Sequence, residues 1–170
     1  MAPVRKMTMT EDIDPVTDIL IPGSVAGLLS TAALAICGRL HGKRASAPIS
    51  AVSHWLWPQE ANQTARPEWR HLLAGLAIHQ SMSIGWAACN ALAVAAARTS
   101  PRLRGGAAQS HGQRVALAAA TTLAAAAGDC IVVPKRFTPG FEYHLPAAHI
   151  AAVYLAFGAG LVVPFLSKRR

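Results

Sequence analysis

Charge is scarce in this sequence. Asp, Glu, Lys and Arg supply only 14% of its 170 residues, where a soluble globular domain carries about 25%. That shortage excludes a disordered tail, a coiled coil and an ordinary soluble domain. Cysteine is scarce too: Cys37, Cys89 and Cys130 form no CxxC or other zinc spacing. A structural zinc is therefore not expected, and each Cys lies in or near an apolar stretch, as a small hydrophobe does. Ten-residue stretches of alternating polarity are missing, which excludes a membrane β-barrel. A P-loop, a dinucleotide glycine fingerprint, HExxH, GxSxG and a c-type haem motif are absent as well, so no motif names a reaction.

What the chain has is apolar length. Hydrophobic residues make up 52%, and the mean hydropathy of +0.31 is modest because Ala supplies much of that share. Four stretches reach the roughly 20 residues that a helix needs to cross a bilayer. They run over about 19–38, 72–97, 115–133 and 147–166. The domain reading is a polar tail over 1–18, a four-span membrane domain over 19–166 and a basic tail over 167–170. The expected fold class is all-α: an integral membrane four-helix bundle with a short interfacial helix after the first span. A cleaved signal peptide is the alternative for the first span, with Ala33-Leu34-Ala35 as a small-residue site. Against it, Glu11, Asp12, Asp14 and Asp18 precede the run, and Ile36 spoils the lipoprotein-like box before Cys37. A retained helix is the better reading. Gly23 and Gly27 form a GxxxG, Gly158 and Gly160 mark the fourth span, and alanine fills the third. Small residues let helices approach closely, so a tight bundle with the third helix most buried is expected. A genome rich in G and C would also favour alanine.

The formal charge is +8, from 16 Lys and Arg against 8 Asp and Glu. In a soluble protein that excess suggests nucleic acid. Here the basic residues flank apolar stretches, as membrane proteins place them, so the bilayer is the expected partner and nucleic acid is not. With four spans, the side holding both termini carries nine Lys and Arg and the other side seven. The positive-inside rule then favours cytoplasmic termini. The first helix alone argues the reverse, since acids precede it and Arg39, Lys43 and Arg44 follow it. Between spans, residues 49–58 have near-helical apolar spacing, with Trp55 and Trp57 suited to the headgroup level; an ordinary loop with aromatic anchors is the rival reading. Residues 98–112 read as a flexible basic loop able to touch anionic lipid. Pro139-Gly140 predicts a tight turn, across which Arg136 and Glu142 could pair.

The informative residues are polar ones at membrane depth. His71, Gly75 and His79 share one broad helix face, to which Trp86 returns. His79, Asp129 and His149 fall within about one to two turns of a common depth. His54, His71 and Glu142 lie near the mouth of such a site. Ionisable groups in a membrane are costly and face a partner or water. Three functional readings follow. His79, Asp129 and His149 could hold a metal ion. Two histidines from different helices could bind a haem. Asp129 could titrate on a proton or small-solute path. The bland reading is that these groups bond one another and lock the bundle. An intramembrane serine hydrolase at Ser81 or Ser83 has only Asp129 to orient its histidine, so an enzyme is not favoured.

Three blocks carry a resemblance: Ser53-His54-Trp55-Leu56-Trp57, His71-x3-Gly75-x3-His79, and Val132 to Glu142 (VVPKRFTPGFE) after Asp129. They resemble a small bacterial inner-membrane family of four-helix proteins without an established activity, over most of the chain beyond residue 20. In the family pattern a second histidine often follows the one matching His79; Gln80 stands there in this chain, which weakens a paired-histidine ligand. The resemblance implies a bacterial inner-membrane protein with a shared polar site, and supplies no substrate. A four-span chain is too short for the large inverted-repeat transporters. The expected partners are the bilayer and a second copy or a larger membrane complex, in which the chain would be an accessory subunit.

Overall fold

In lipid a long run of apolar residues can satisfy its own backbone N–H and C=O groups only as a helix, and the four runs form four long helices among the described residues. A computed structural model describes residues 13–59, 69–100 and 110–166. Both polar tails over 1–12 and 167–170, and residues 101–109 of the basic loop, lie outside the described residues. Helix α1 spans Ile21–Leu40 and is extended at its start by a π-helical turn, Pro15–Leu20. The short α2 spans Ala47–Ala51 and runs on as a 3-10 turn, Val52–Trp55. Helix α3 spans Trp69–Thr99, α4 spans His111–Ala127 and α5 spans Ala147–Leu166. A π-helical turn, Gly128–Val132, prolongs α4. Four helices, Pro15–Leu40, Trp69–Thr99, His111–Val132 and Ala147–Leu166, are long and apolar enough to cross a membrane. The described residues contain no strand.

Local chemistry sets the helix ends. The Asp14 carboxylate accepts from the Val16 N–H at 3.0 Å, with Pro15 opening the turn where its missing N–H costs nothing. Ser110 and Gln113 form a reciprocal capping box at the start of α4. Beyond α4, Val133 is already extended, as the residue before Pro134 must be.

The most extensive packing is between α1 and α5, where a side chain at Gly160 would meet the backbone of Ala26, its Cβ lying 2.6 Å from the Ala26 nitrogen. The first glycine of the GxxxG serves α3: a Cβ at Gly23 would lie 2.7 Å from the Ile84 Cα. Two cores result. One, toward the chain termini, gathers Ala26, Ala87, Ala118, Ala125, Phe157, Leu161 and Val162. The other, toward the opposite end, gathers Leu34, Cys37, Ile49, Val52, Phe141, Leu145 and Val153.

Two expectations are corrected. Helix α4 is not the most buried: only Ala118, Thr121, Thr122 and Ala125 of it are buried, and α1 has the largest buried share. Alanine permits close approach but contributes little side chain to bury, so the glycine-to-backbone contacts of α1 decide the centre. The short helix after α1 exists, but it does not lie along a surface with an outward apolar face. Pro48 to His54 are all buried, wedged between α1, α3 and the segment around Phe141. Gly75 makes this possible, since any side chain there would strike the Ile49 carbonyl.

Candidate functional site

Asp129 sits in the π-helical turn that ends α4, where the Val133 N–H reaches back to the Gly128 carbonyl at 2.9 Å. Its carboxylate Oδ2 accepts from the Tyr154 hydroxyl of α5 at 2.7 Å. Trp86 of α3 lies against Gly128, 3.5 Å from where a Cβ would be. On the facing helices, His79 Nε2 is 2.8 Å from Ser30 Oγ. A serine hydroxyl has one proton. Ser30 gives it to the Ala26 carbonyl at 2.7 Å, so its lone pair accepts from Nε2–H of His79. That assignment leaves His79 Nδ1 without a proton.

Both pairs, Asp129–Tyr154 and His79–Ser30, line one cavity of about 60 Å³. Its other walls are aromatic or apolar: Trp55, Trp86, Phe141, Phe157 and Met82 among them. A second cavity, of about 360 Å³, adjoins it and is lined by Glu142, Lys135, Cys130 and Tyr143. Asp129, Tyr154, Pro139 and Phe141 line both, so the carboxylate stands where the smaller cavity, the chamber, meets the larger, the vestibule. Ala125 and Phe157 belong both to the chamber wall and to the alanine-rich core.

The roof comes from two segments that meet over the bundle. Trp55 donates its indole N–H to the Thr138 carbonyl at 3.0 Å, and Phe137 packs edge-on against the indole with ring centres 5.8 Å apart. Gly140 has φ +83° and backs onto the Ala51 carbonyl and His54 Nδ1, where a Cβ would come within 2.9 Å of either. The turn expected at Pro139-Gly140 is therefore present, and only glycine fits it. The expected Arg136–Glu142 pair is not formed: Arg136 lies over the Phe137 ring, and Glu142 Oε2 is buried without a hydrogen-bond partner.

The six residues singled out by sequence divide. His79 and Asp129 share the chamber and Glu142 lines the vestibule. His149 lines neither cavity; its ring meets that of His41 edge-on at 5.9 Å, near the end of α1. His54 is buried beneath Gly140, its Nδ1 2.8 Å from the Ala51 carbonyl. His71 is buried beside α2, with Nδ1 2.9 Å from Ser53 Oγ and its ring edge-on to Trp57 at 5.1 Å. Among the described residues, no three His, Cys, Asp or Glu side chains come together to hold a metal ion, so the trio of His79, Asp129 and His149 is not assembled. His79 is the one histidine that lines the 60 Å³ chamber, so the haem reading finds no second axial ligand there. Outside the spans, burial holds the His144 imidazole below its usual pKa; Lys43 lowers it further and Glu142 partly restores it.

Trp86 was marked on the His79 face, but Tyr154 and Ser30 were not marked by the sequence. The available signal was faint: a hydroxyl at membrane depth in an otherwise apolar helix. No known protein family, curated protein or solved structure matches this chain.

Proposed function

We propose that this chain is a multi-pass protein of the bacterial inner membrane that binds a small solute in the chamber between His79 and Asp129. The observation that carries the reading is the chamber itself: a concave, mostly apolar space with several aromatic rings and a few convergent polar groups, which is the composition of small-molecule sites. The four apolar helices and the three sequence blocks resembling a small inner-membrane family support the location. The nine-to-seven distribution of Lys and Arg supports cytoplasmic termini. The chamber has room for about four waters, or a ligand of about three to five heavy atoms.

Purified protein in detergent provides the test. Small organic cations, anions and neutral alcohols are added in turn while thermal unfolding is followed. At least one class should raise the transition, since a ligand stabilises the state it binds. Ala125→Leu, which fills the chamber from α4, should abolish the rise. No shift with any class, or an equal shift in the filled variant, would end the proposal.

The vestibule and chamber in series favour a second reading, a transport component gated at Asp129–Tyr154. It requires solute flux into liposomes that Asp129→Asn abolishes. The alanine-rich core that includes Phe157 argues for a dead-end site over a pore.

A further inference from the structure

The walls of the chamber restrict what it can hold. Asp129 is the one Asp, Glu, Lys or Arg residue among its lining residues. Among the described residues no Lys or Arg lines the space, so an anion would meet a carboxylate with no Lys or Arg to offset it. The carboxylate itself is under-used. Among the described residues its hydrogen-bond partner is the Tyr154 hydroxyl, whereas a carboxylate has about four acceptor sites. Oxygen is otherwise scarce. Ser30 Oγ donates to the Ala26 carbonyl at 2.7 Å and Ser83 Oγ to the His79 carbonyl at 2.9 Å. A calcium-like ion, which takes about six to eight oxygens, would find too few. The rest of the wall is aliphatic side chains and the rings of Trp55, Trp86, Phe141 and Phe157, and such rings attract cations through their faces.

We propose that the chamber takes a compact protonated amine, an ammonium ion bearing one to three small alkyl groups, with Asp129 as counter-ion and the Trp55, Trp86, Phe141 and Phe157 rings as its apolar shell. This rests on the small-solute reading above and names its ligand class. The entry side has matching chemistry. Glu142 lines the vestibule and its Oε2 is buried without a partner, so a second carboxylate stands on the approach; Lys135 on the same wall is the opposing charge. Tyr154 is a positioning residue: its hydroxyl holds Oδ2 and turns the other oxygen to the ligand. A ligand of about four heavy atoms binds no tighter than roughly tens of micromolar, so titrations must run into the millimolar range.

The experiment uses the full chain in detergent micelles at constant ionic strength. Methylammonium, trimethylammonium and tert-butylammonium chlorides are titrated against tert-butanol and against sodium chloride. Indole fluorescence is the readout, because Trp55 and Trp86 line the chamber. Saturable quenching by at least one ammonium is expected, at least tenfold tighter than by tert-butanol, with no response to sodium chloride. Asp129→Asn should remove that preference and leave tert-butanol unchanged. If Asp129→Asn does not fold, Trp86→Leu serves instead: it should weaken the ammonium several-fold and tert-butanol less. Equal binding of ammonium and alcohol, or an ammonium response indifferent to both substitutions, would overturn the amine assignment and leave the solute pocket standing. Absence of saturable binding by any probe, together with no thermal shift across the solute classes, would overturn both.

Discussion

At the scale of single residues, the site is two hydrogen-bonded pairs that relieve the cost of polar groups inside an apolar bundle. The Ser30–His79 pair makes the sharper prediction. Ser30→Ala leaves a half-buried imidazole N–H without its acceptor, which should cost about 1–3 kcal/mol. Unfolding midpoints in a denaturing detergent should show the loss. Adding His79→Leu to it should cost less than the sum of the two single changes, because both remove one interaction. His144 predicts a pH effect. Its imidazole titrates below the ordinary 6.5 in the folded chain, so the unfolded chain takes up the proton first and stability falls as pH drops below about 6.5. His144→Gln should flatten that part of the stability profile between about pH 7 and pH 5 relative to the parent. An unchanged slope would show that another group carries it. Asp129 and His79 could be marked in advance because ionisable residues are conspicuous in apolar runs. Tyr154 and Ser30 could not, since a hydroxyl in a helix can return its proton to its own backbone, as Ser30 does.

At the scale of elements, glycine decides how closely helices meet. Gly160→Ala puts a methyl group into the backbone of Ala26, and overpacking of this kind costs about 1–3 kcal/mol. Gly85→Ala is the control. Gly85 is exposed on α3 and has nothing within 4 Å of its Cβ position, so alanine should leave stability unchanged or raise it by up to about 1 kcal/mol. A similar loss at both sites would mean that the close approach at Gly160 does not set the response. The four long helices were legible because length and hydropathy are properties of each segment alone. The burial of α2 was not. Its apolar spacing suits a membrane surface and a protein interior equally, and Gly75 on a different helix makes the space for it.

For the whole molecule, four helices that each cross a bilayer would fix which loops share a side. Tyr143 is 60% exposed and lies on the side opposite the termini, while Ser100 lies on their side. With cytoplasmic termini, Tyr143→Cys in intact cells should react with a membrane-impermeant maleimide and Ser100→Cys should not, each in a background with Cys37, Cys89 and Cys130 replaced. The opposite pattern would invert the orientation. The chain should also stay with the membrane fraction after an alkaline wash and leave it only in detergent.

Composition, segment length and residue type by themselves determined the helical class, the four long helices to within a few residues and the turn at Gly140. Those features depend on each residue's own cost in an apolar medium or on its own backbone freedom. Only the tertiary structure decided how each helix is rotated about its axis. On α5, His149 lies about 140° around from Tyr154 at 100° per residue, so the face that brings Tyr154 to Asp129 turns His149 toward His41. A linear sequence sets the spacing of residues along a helix, but the direction of that face is set by where Gly160 meets Ala26 and Gly23 meets Ile84.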